Sequence, residues 1–163
     1  MKQTITRTRV LEIVAGYDKV KDLSGIKLAY AISKNMNSLK REQESINAAI
    51  PKSEKLEKYK EEYQVILNAE AKKDESGNFI PAGEGQIVLT DAKSFTKKIK
   101  TLSEKYKVEL DTQKINEDKF NSFLTEDFEF DFFQFGDVNL PETLTVEQMA
   151  IINEMIFETP EAA

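Results

Sequence analysis

The chain has 163 residues, a net charge of −6 and no cysteine, histidine or tryptophan, a size that suits one domain with one modest core. Without cysteine there are no disulfides, thiolate zinc sites or iron–sulfur clusters. Without histidine there is no imidazole acid–base catalyst or ligand, and no Ser–His or Cys–His nucleophile pair.

The first helix is expected to start near Thr8, an N-cap residue, with Val10, Leu11, Val14 and Tyr17 on one face. Leu23, Ser24 and Gly25 break it, and Ser24 is placed to cap a longer second helix. In that helix Ile32, Met36, Leu39, Gln43, Ile46 and Ile50 recur at alternating spacings of four and three, a coiled-coil-like seam with one polar interruption. Pro51 interrupts it, and a second stripe follows at Leu56, Tyr59, Tyr63 and Ile66. The expected unit is an antiparallel helical hairpin over about 25–72, or one long helix kinked at Pro51.

Turn residues fill Asp74 to Asn78, and a short β-hairpin is expected within about 74–90, pairing Phe79 and Ile80 with Gln86 to Leu89 across Pro81 to Gly85. Thr90 or Asp91 then caps a helix over about 91–106, with Phe95, Ile99, Leu102 and Tyr106 inward. Val108 and Leu110 suggest a strand, and 119–124 a short helix. Phe128, Phe130 and Phe132 alternate with Glu129 and Asp131 as in a strand, with Phe133 and Phe135 on the other side. Thr145 and Gln148 form a capping box for a last helix over 146–157, ended by Pro160.

Charge is divided along the chain. Residues 1–107 hold 21 Lys and Arg against 15 Asp and Glu, whereas 108–163 hold 2 against 14. Such asymmetry suggests complementary surfaces within a molecule or between copies, or an acidic segment that keeps a Phe-rich stretch in solution. Seven of the ten phenylalanines lie between 120 and 135, as core or as a partner-binding strand.

Three chemical motifs are tested and set aside. Asp74, Ser76 and Asn78 imitate half a calcium loop, but Phe79 and Gly85 stand where the loop needs glycine and glutamate. Gly83, Glu84 and Gly85 are too short for a phosphate-binding loop. Glu129 and Asp131 on one strand face suit a magnesium ion or glycoside hydrolysis, but acids beside phenylalanines are the usual solvated side of a half-buried strand. Lys52, Lys55, Lys58 and Lys60 are interleaved with acids, and Lys97, Lys98 and Lys100 lack an aromatic or arginine platform, which speaks against nucleic acid.

Taken in order, Thr8 to Leu11, Leu28 to Asn35, Glu57 to Tyr63, Lys73 to Asn78, Phe95 with Leu102 to Tyr106, and Leu144 to Met149 are similar to a family of small uncharacterised proteins. These are encoded by tailed bacteriophages and prophages, often near virion genes. The resemblance covers about residues 5–157; the Glu126 to Phe135 stretch is more aromatic than it leads one to expect. It implies a phage setting and carries no catalytic residue.

The expected fold is α+β and predominantly helical: a helical hairpin with a small β element, an acidic Phe-rich segment over about 108–163 and a C-terminal helix, all in one domain. The expected function is that of a non-enzymatic phage accessory protein, a virion component or assembly factor, with a phage-encoded inhibitor using its acidic C-terminal surface as the alternative. No metal, cofactor or membrane is expected. No stretch has the roughly 18 apolar residues of a membrane span, and the N-terminus does not read as a signal peptide, so the expected location is the host cytoplasm or the virion. The expected partners are proteins, including further copies. Phe128, Glu129, Phe130, Asp131, Phe132, Phe133 and Phe135 are the candidate interaction residues; the seam from Ile32 to Ile50, continued by Leu56 to Ile66, is the other candidate.

Overall fold

The computed structural model describes residues 2–83 and 85–158. In chain order the elements are β1 (Lys2–Thr6), α1 (Arg7–Ala15), α2 (Tyr17–Val20), α3 (Ile26–Ala48), α4 (Glu54–Glu70), β2 (Pro81–Gly83), β3 (Gln86–Ile87), α5 (Ala92–Lys105), α6 (Lys107–Thr125), β4 (Asp127–Asp131), β5 (Phe135–Gly136), α7 (Val146–Ile152) and β6 (Ile156–Phe157), with 3-10 turns at Asp137–Asn139 and Asn153–Met155. The fold is α+β with most residues helical. It divides into two compact units, residues 1–50 with 119–163, and residues 51–118. Among the described residues no helix is long and apolar enough to cross a membrane.

The first unit holds the core. β1 runs antiparallel to β4, with Ile5 opposite Phe128 and Gln3 opposite Phe130 on the inner face, and Lys2, Thr4 and Thr6 opposite acids on the outer one. The chain stays extended to Thr6, so Thr6 and not Thr8 caps α1, accepting from the Arg9 N–H at 3.2 Å. The Thr8 hydroxyl is used elsewhere, donating to the Leu124 carbonyl. Gly25 precedes α3 with φ +113°, a conformation open to glycine, and stands at the cap position expected for Ser24. The inner face of α3 packs on α1.

Val10, Ile13, Val20, Leu28, Ile32, Met36, Leu39, Ile46, Phe132, Ile152 and Met155 form the center of one buried cluster. Burying an aliphatic or aromatic side chain of this kind contributes about 1.5–3 kcal/mol, so this cluster dominates the unit's stability. The last helix begins at the expected place, and both halves of the Thr145–Gln148 capping box are formed. It ends at Ile152 and not at 157, because Ile156 and Phe157 leave it to pair in parallel with Phe135 and Gly136. The assignment of Pro160 as its terminator lies outside the described residues.

The second unit is a helix pair with a small β element. Ser53 caps α4 and Asp91 caps α5, the latter accepting from the N–H groups of Lys93 and Ser94. Tyr59 meets Tyr106, and Tyr63 meets Phe95, edge-on at 5.7 and 6.2 Å between ring centroids. Between the helices the chain pairs Ile80 with both Lys72 and Val88, extending the expected hairpin by a third segment. Glu84 lies outside the described residues.

Val108 and Leu110 do not open a strand; they lie in the first turn of α6, a 19-residue helix. No glycine or proline interrupts Lys107 to Thr125, and side-chain pairs such as Gln113 to Glu117 support helix one turn apart. The helices expected over about 25–72 exist, with the chain break at Pro51; within the first unit α3 packs on α1, and within the second α4 packs on α5. The stripe on α3 is therefore the face of a globular core and not a coiled-coil seam.

Candidate interaction surface

The Phe-rich segment separates into buried and surface-facing members. Phe130, Phe132 and Phe135 are buried, although 132 and 135 differ in parity. The strand ends at Asp131, and the irregular backbone that follows turns Phe135 back into the core. Phe128 is half-buried, with the Arg7 guanidinium 5.1 Å from its ring centroid. Phe133 is half-buried as well, and its surroundings differ. Its ring meets Tyr30 edge-on at 5.2 Å, and the Lys34 ammonium sits 4.4 Å from its centroid.

Asn35 fixes this arrangement. It is buried on α3, and its side-chain amide both donates to the Phe133 carbonyl and accepts from the Phe133 N–H, each at 2.8 Å. The amide thus stands in for a neighbouring strand at a place where none is available, and leaves the Phe133 backbone satisfied.

Around Phe133 opens an apolar groove of about 470 Å3, lined by Lys27 and Tyr30 from α3, by Phe133, Val138 and Asn139, and by Phe157. Tyr30 is 57% exposed, Val138 77% and Phe157 43%. A second, more open groove of about 710 Å3 follows along the chain, lined by Leu140, Leu144, Val146, Met149 and Arg9 among others. Val146 is 87% exposed. Arg9 itself is engaged: its Nε and Nη2 donate to the two Glu154 carboxylate oxygens at 2.7 and 2.9 Å, and it also binds Glu12 and the Ala150 carbonyl. The hydrogen bond to Glu154 raises the guanidinium pKa, so this cation anchors α1 to the 3-10 turn after α7.

The acids weighed as a metal or catalytic pair are placed on the outer face of β4. Glu129 and Asp131 are exposed, and Glu129 pairs with Lys2 at 2.7 Å. Among the described residues no group of three or more acids is arranged to hold a metal ion. Asp74 likewise serves its own turn: its carboxylate accepts from the Ser76 and Asn78 N–H groups at 2.9 Å, and the bond from Asn78 is the main cause of its lowered pKa.

The helical stripe is consumed by folding in its first half. Ile32, Met36, Leu39 and Ile46 are buried in the first unit and leave no face for another chain, while Ile50 is exposed at the helix end. Leu56, Tyr59, Tyr63 and Ile66 are half-buried in the second unit. The groove residues Tyr30, Val138, Val146, Met149 and Phe157 escape the sequence reading. Only the position of Tyr30, two residues before Ile32 and off the stripe, signals an outward side chain.

No protein-family model, no curated protein and no solved structure matches the chain.

Proposed function

We propose that this chain is a non-enzymatic binding protein that works through the apolar grooves of its first unit, as a phage virion component or assembly factor. One observation carries the binding role. Of the large apolar side chains that stand exposed, Tyr30, Val138, Val146, Met149 and Phe157 line two grooves that follow one another along the 133–157 segment. Scattered exposed apolar residues are ordinary, whereas their concentration around grooves marks a surface with a partner. The phage setting rests on the sequence resemblance. In support, Glu129 on the outer face of β4 is paired with Lys2, and the absence of histidine and cysteine removes the commonest catalytic side chains.

The test is incorporation. Particles purified from cells making the encoding phage contain the chain at a fixed copy number, and Val138→Asp lowers that number while the circular dichroism melt stays that of the parent. A chain that accumulates in those cells, yet is absent from particles and from their assembly intermediates, would overturn the reading.

The alternative, an inhibitor acting through its acidic surface, has behind it the exposed side chains of Asp127, Glu129 and Asp131 on β4. It requires that neutralising all three abolish its effect on the target while Val138→Asp leaves that effect intact.

A further inference from the structure

We infer that the outer face of α3 binds single-stranded nucleic acid, with phosphates on Lys27, Lys34 and Arg41 and a base stacked on Tyr30. The face is distinct from the grooves, although Lys27 and Tyr30 border one of them.

The charge pattern of this helix is unlike that of the chain around it. The chain holds 29 acids against 23 cations, yet Ile26 to Arg41 contains four cations and no acid. A solvated helix face ordinarily mixes the two signs, as α4 does with Lys55, Glu57, Lys58, Lys60, Glu61 and Glu62. In its first turn α3 carries Lys27 and no acid, where the helix dipole favours acids. Stability alone would place these charges differently.

Folding sets three of the four cations in one row. Leu28, Ala31, Ile32, Asn35, Met36 and Leu39 are buried, which turns Lys27, Tyr30, Lys34, Asn37 and Arg41 outward, all of them exposed. Positions 27, 34 and 41 lie seven apart, close to two helical turns, and so share one stripe. From Lys27 to Arg41 it runs about 21 Å at about 1.5 Å per residue, the length of about six stacked nucleotides at about 3.4 Å each. Among the described residues no acid forms an ion pair with Lys27, Lys34 or Arg41. Lys19 and Lys21 of the same unit are by contrast paired, with Glu147 and Asp18. The fourth cation, Lys40, lies off the row over the Tyr17 ring, 4.7 Å from its centroid.

Tyr30 selects the partner. A row of cations alone suits any polyanion. Tyr30 stands between Lys27 and Lys34, 57% exposed, and meets Phe133 edge-on at 5.2 Å, where Asn35 fixes the Phe133 backbone. An exposed ring held in place among unpaired cations lets bases stack while phosphates follow the charges. A duplex keeps the faces of its bases covered, and an acidic polypeptide has no base to stack. The net charge of −6 weakens binding without cancelling it, since charges more than about 8–10 Å apart across solvent are largely screened at physiological salt.

Fluorescence anisotropy of a labelled oligothymidylate of about 12 nucleotides is the test. The parent chain is expected to bind it in the micromolar range at low salt. The logarithm of the binding constant falls against that of salt with a slope of about −2, from three phosphate contacts at about 0.7 each. Arg41→Ala makes the slope shallower by about 0.7. Lys27→Glu and Arg41→Glu each weaken binding by about tenfold and, at exposed positions, keep the parent's melting curve. Lys97→Glu, the same change of charge on α5, leaves binding unaltered. Tyr30→Ala weakens binding by about tenfold, and Tyr30→Phe keeps it at the parent level. No binding at low salt overturns the inference, as does a Tyr30→Ala variant that binds like the parent. An equal loss from Lys97→Glu overturns it by making the effect one of net charge. A duplex bound as tightly as the single strand overturns it too, and polyglutamate that displaces the oligonucleotide at equal charge does so in favour of an acidic protein.

Discussion

Asn35, inside α3, grips the backbone of Phe133 from 98 residues away by donating to its carbonyl and accepting from its N–H, both at 2.8 Å. The pair joins the core helix to the irregular segment between β4 and β5, and so sets where Phe133 meets Tyr30. Replacing Asn35 by alanine removes both bonds and strands two backbone groups that are partly buried. The expected loss is about 2–3 kcal/mol, read as a lower urea midpoint with an unchanged slope. Asn35→Asp is the sharper variant. It keeps the acceptor for the Phe133 N–H but turns the donor into a second acceptor facing the carbonyl, and it buries a charge, so its loss exceeds that of alanine at neutral pH and shrinks on acidification.

Arg9 and Glu154 tie α1 to the turn after α7 by a two-pronged contact in which both side chains are mostly covered. Glu154→Gln keeps the shape and removes the charge, leaving Arg9 with Glu12 and the Ala150 carbonyl. The expected cost is about 1–2 kcal/mol, because charge-assisted bonds exceed neutral ones by roughly that amount. A loss below a few tenths, measured by chemical denaturation, would show that Glu12 and the backbone suffice.

Acid sensitivity in the second unit centers on Glu70. Its carboxylate is buried, accepts from Lys98 at 2.5 Å and from Ser94 at 3.1 Å, and has a lowered pKa, chiefly through the Lys98 hydrogen bond. A carboxyl group whose folded pKa is depressed adds stability that is present above the unfolded value and is lost as pH falls through the folded one. Lys98→Met removes the main cause and leaves burial and the nearby Asp91 to push the other way. The Glu70 titration, followed by carboxyl carbon chemical shift, therefore moves up in pH. Glu70's share of the acid-induced loss of stability shrinks accordingly, because its folded and unfolded pKa values draw together. An unmoved Glu70 titration would reassign its low pKa to Ser94.

The sequence makes legible what is written locally. The side chains of Asp91 and of Thr145 with Gln148 cap their helices as expected, because capping depends on residues three apart. The stripe from Ile32 to Ile46 is equally readable as an apolar face, but its partner is not: α1, the helix packed on it, carries no complementary code in its residue spacing. β1 is invisible for a similar reason. Its five residues contain one buried side chain, Ile5, and its strand partner lies more than 120 residues on. Phe135, buried like Phe130 and Phe132 although expected on the other side, defeats the alternation argument because period two holds only while the strand lasts, and β4 stops at Asp131. The groove is the hardest feature to foresee. Tyr30, Val138 and Phe157 come from three separate places, brought together by the Asn35 clamp, the short β5–β6 pairing and the packing of Phe135 and Met155 into the core.

Gly16 offers a test in which the sign of one substitution depends on a distant residue. It lies between α1 and α2 in an ordinary right-handed conformation, so no backbone strain requires glycine there. What requires it is Ile151 of α7: a methyl group added at Gly16 would lie 2.6 and 2.7 Å from the Ile151 Cδ1 and Cγ1 atoms. Ile151 is buried and has little room to withdraw. Gly16→Ala in the parent chain is therefore expected to cost about 1 kcal/mol, the overpacking penalty less the gain from a stiffer unfolded chain. Ile151→Ala alone removes the clashing atoms and costs about 2–5 kcal/mol by leaving a cavity. In that background Gly16→Ala no longer clashes, partly fills the space and still restrains the unfolded state, so it becomes stabilising by roughly 0.5 kcal/mol or more. The four proteins of this cycle are compared by urea unfolding. A Gly16→Ala effect of the same sign and size in both backgrounds would mean that α7 shifts to admit the methyl group, and that the contact between Gly16 and Ile151 does not hold the C-terminal helix in place.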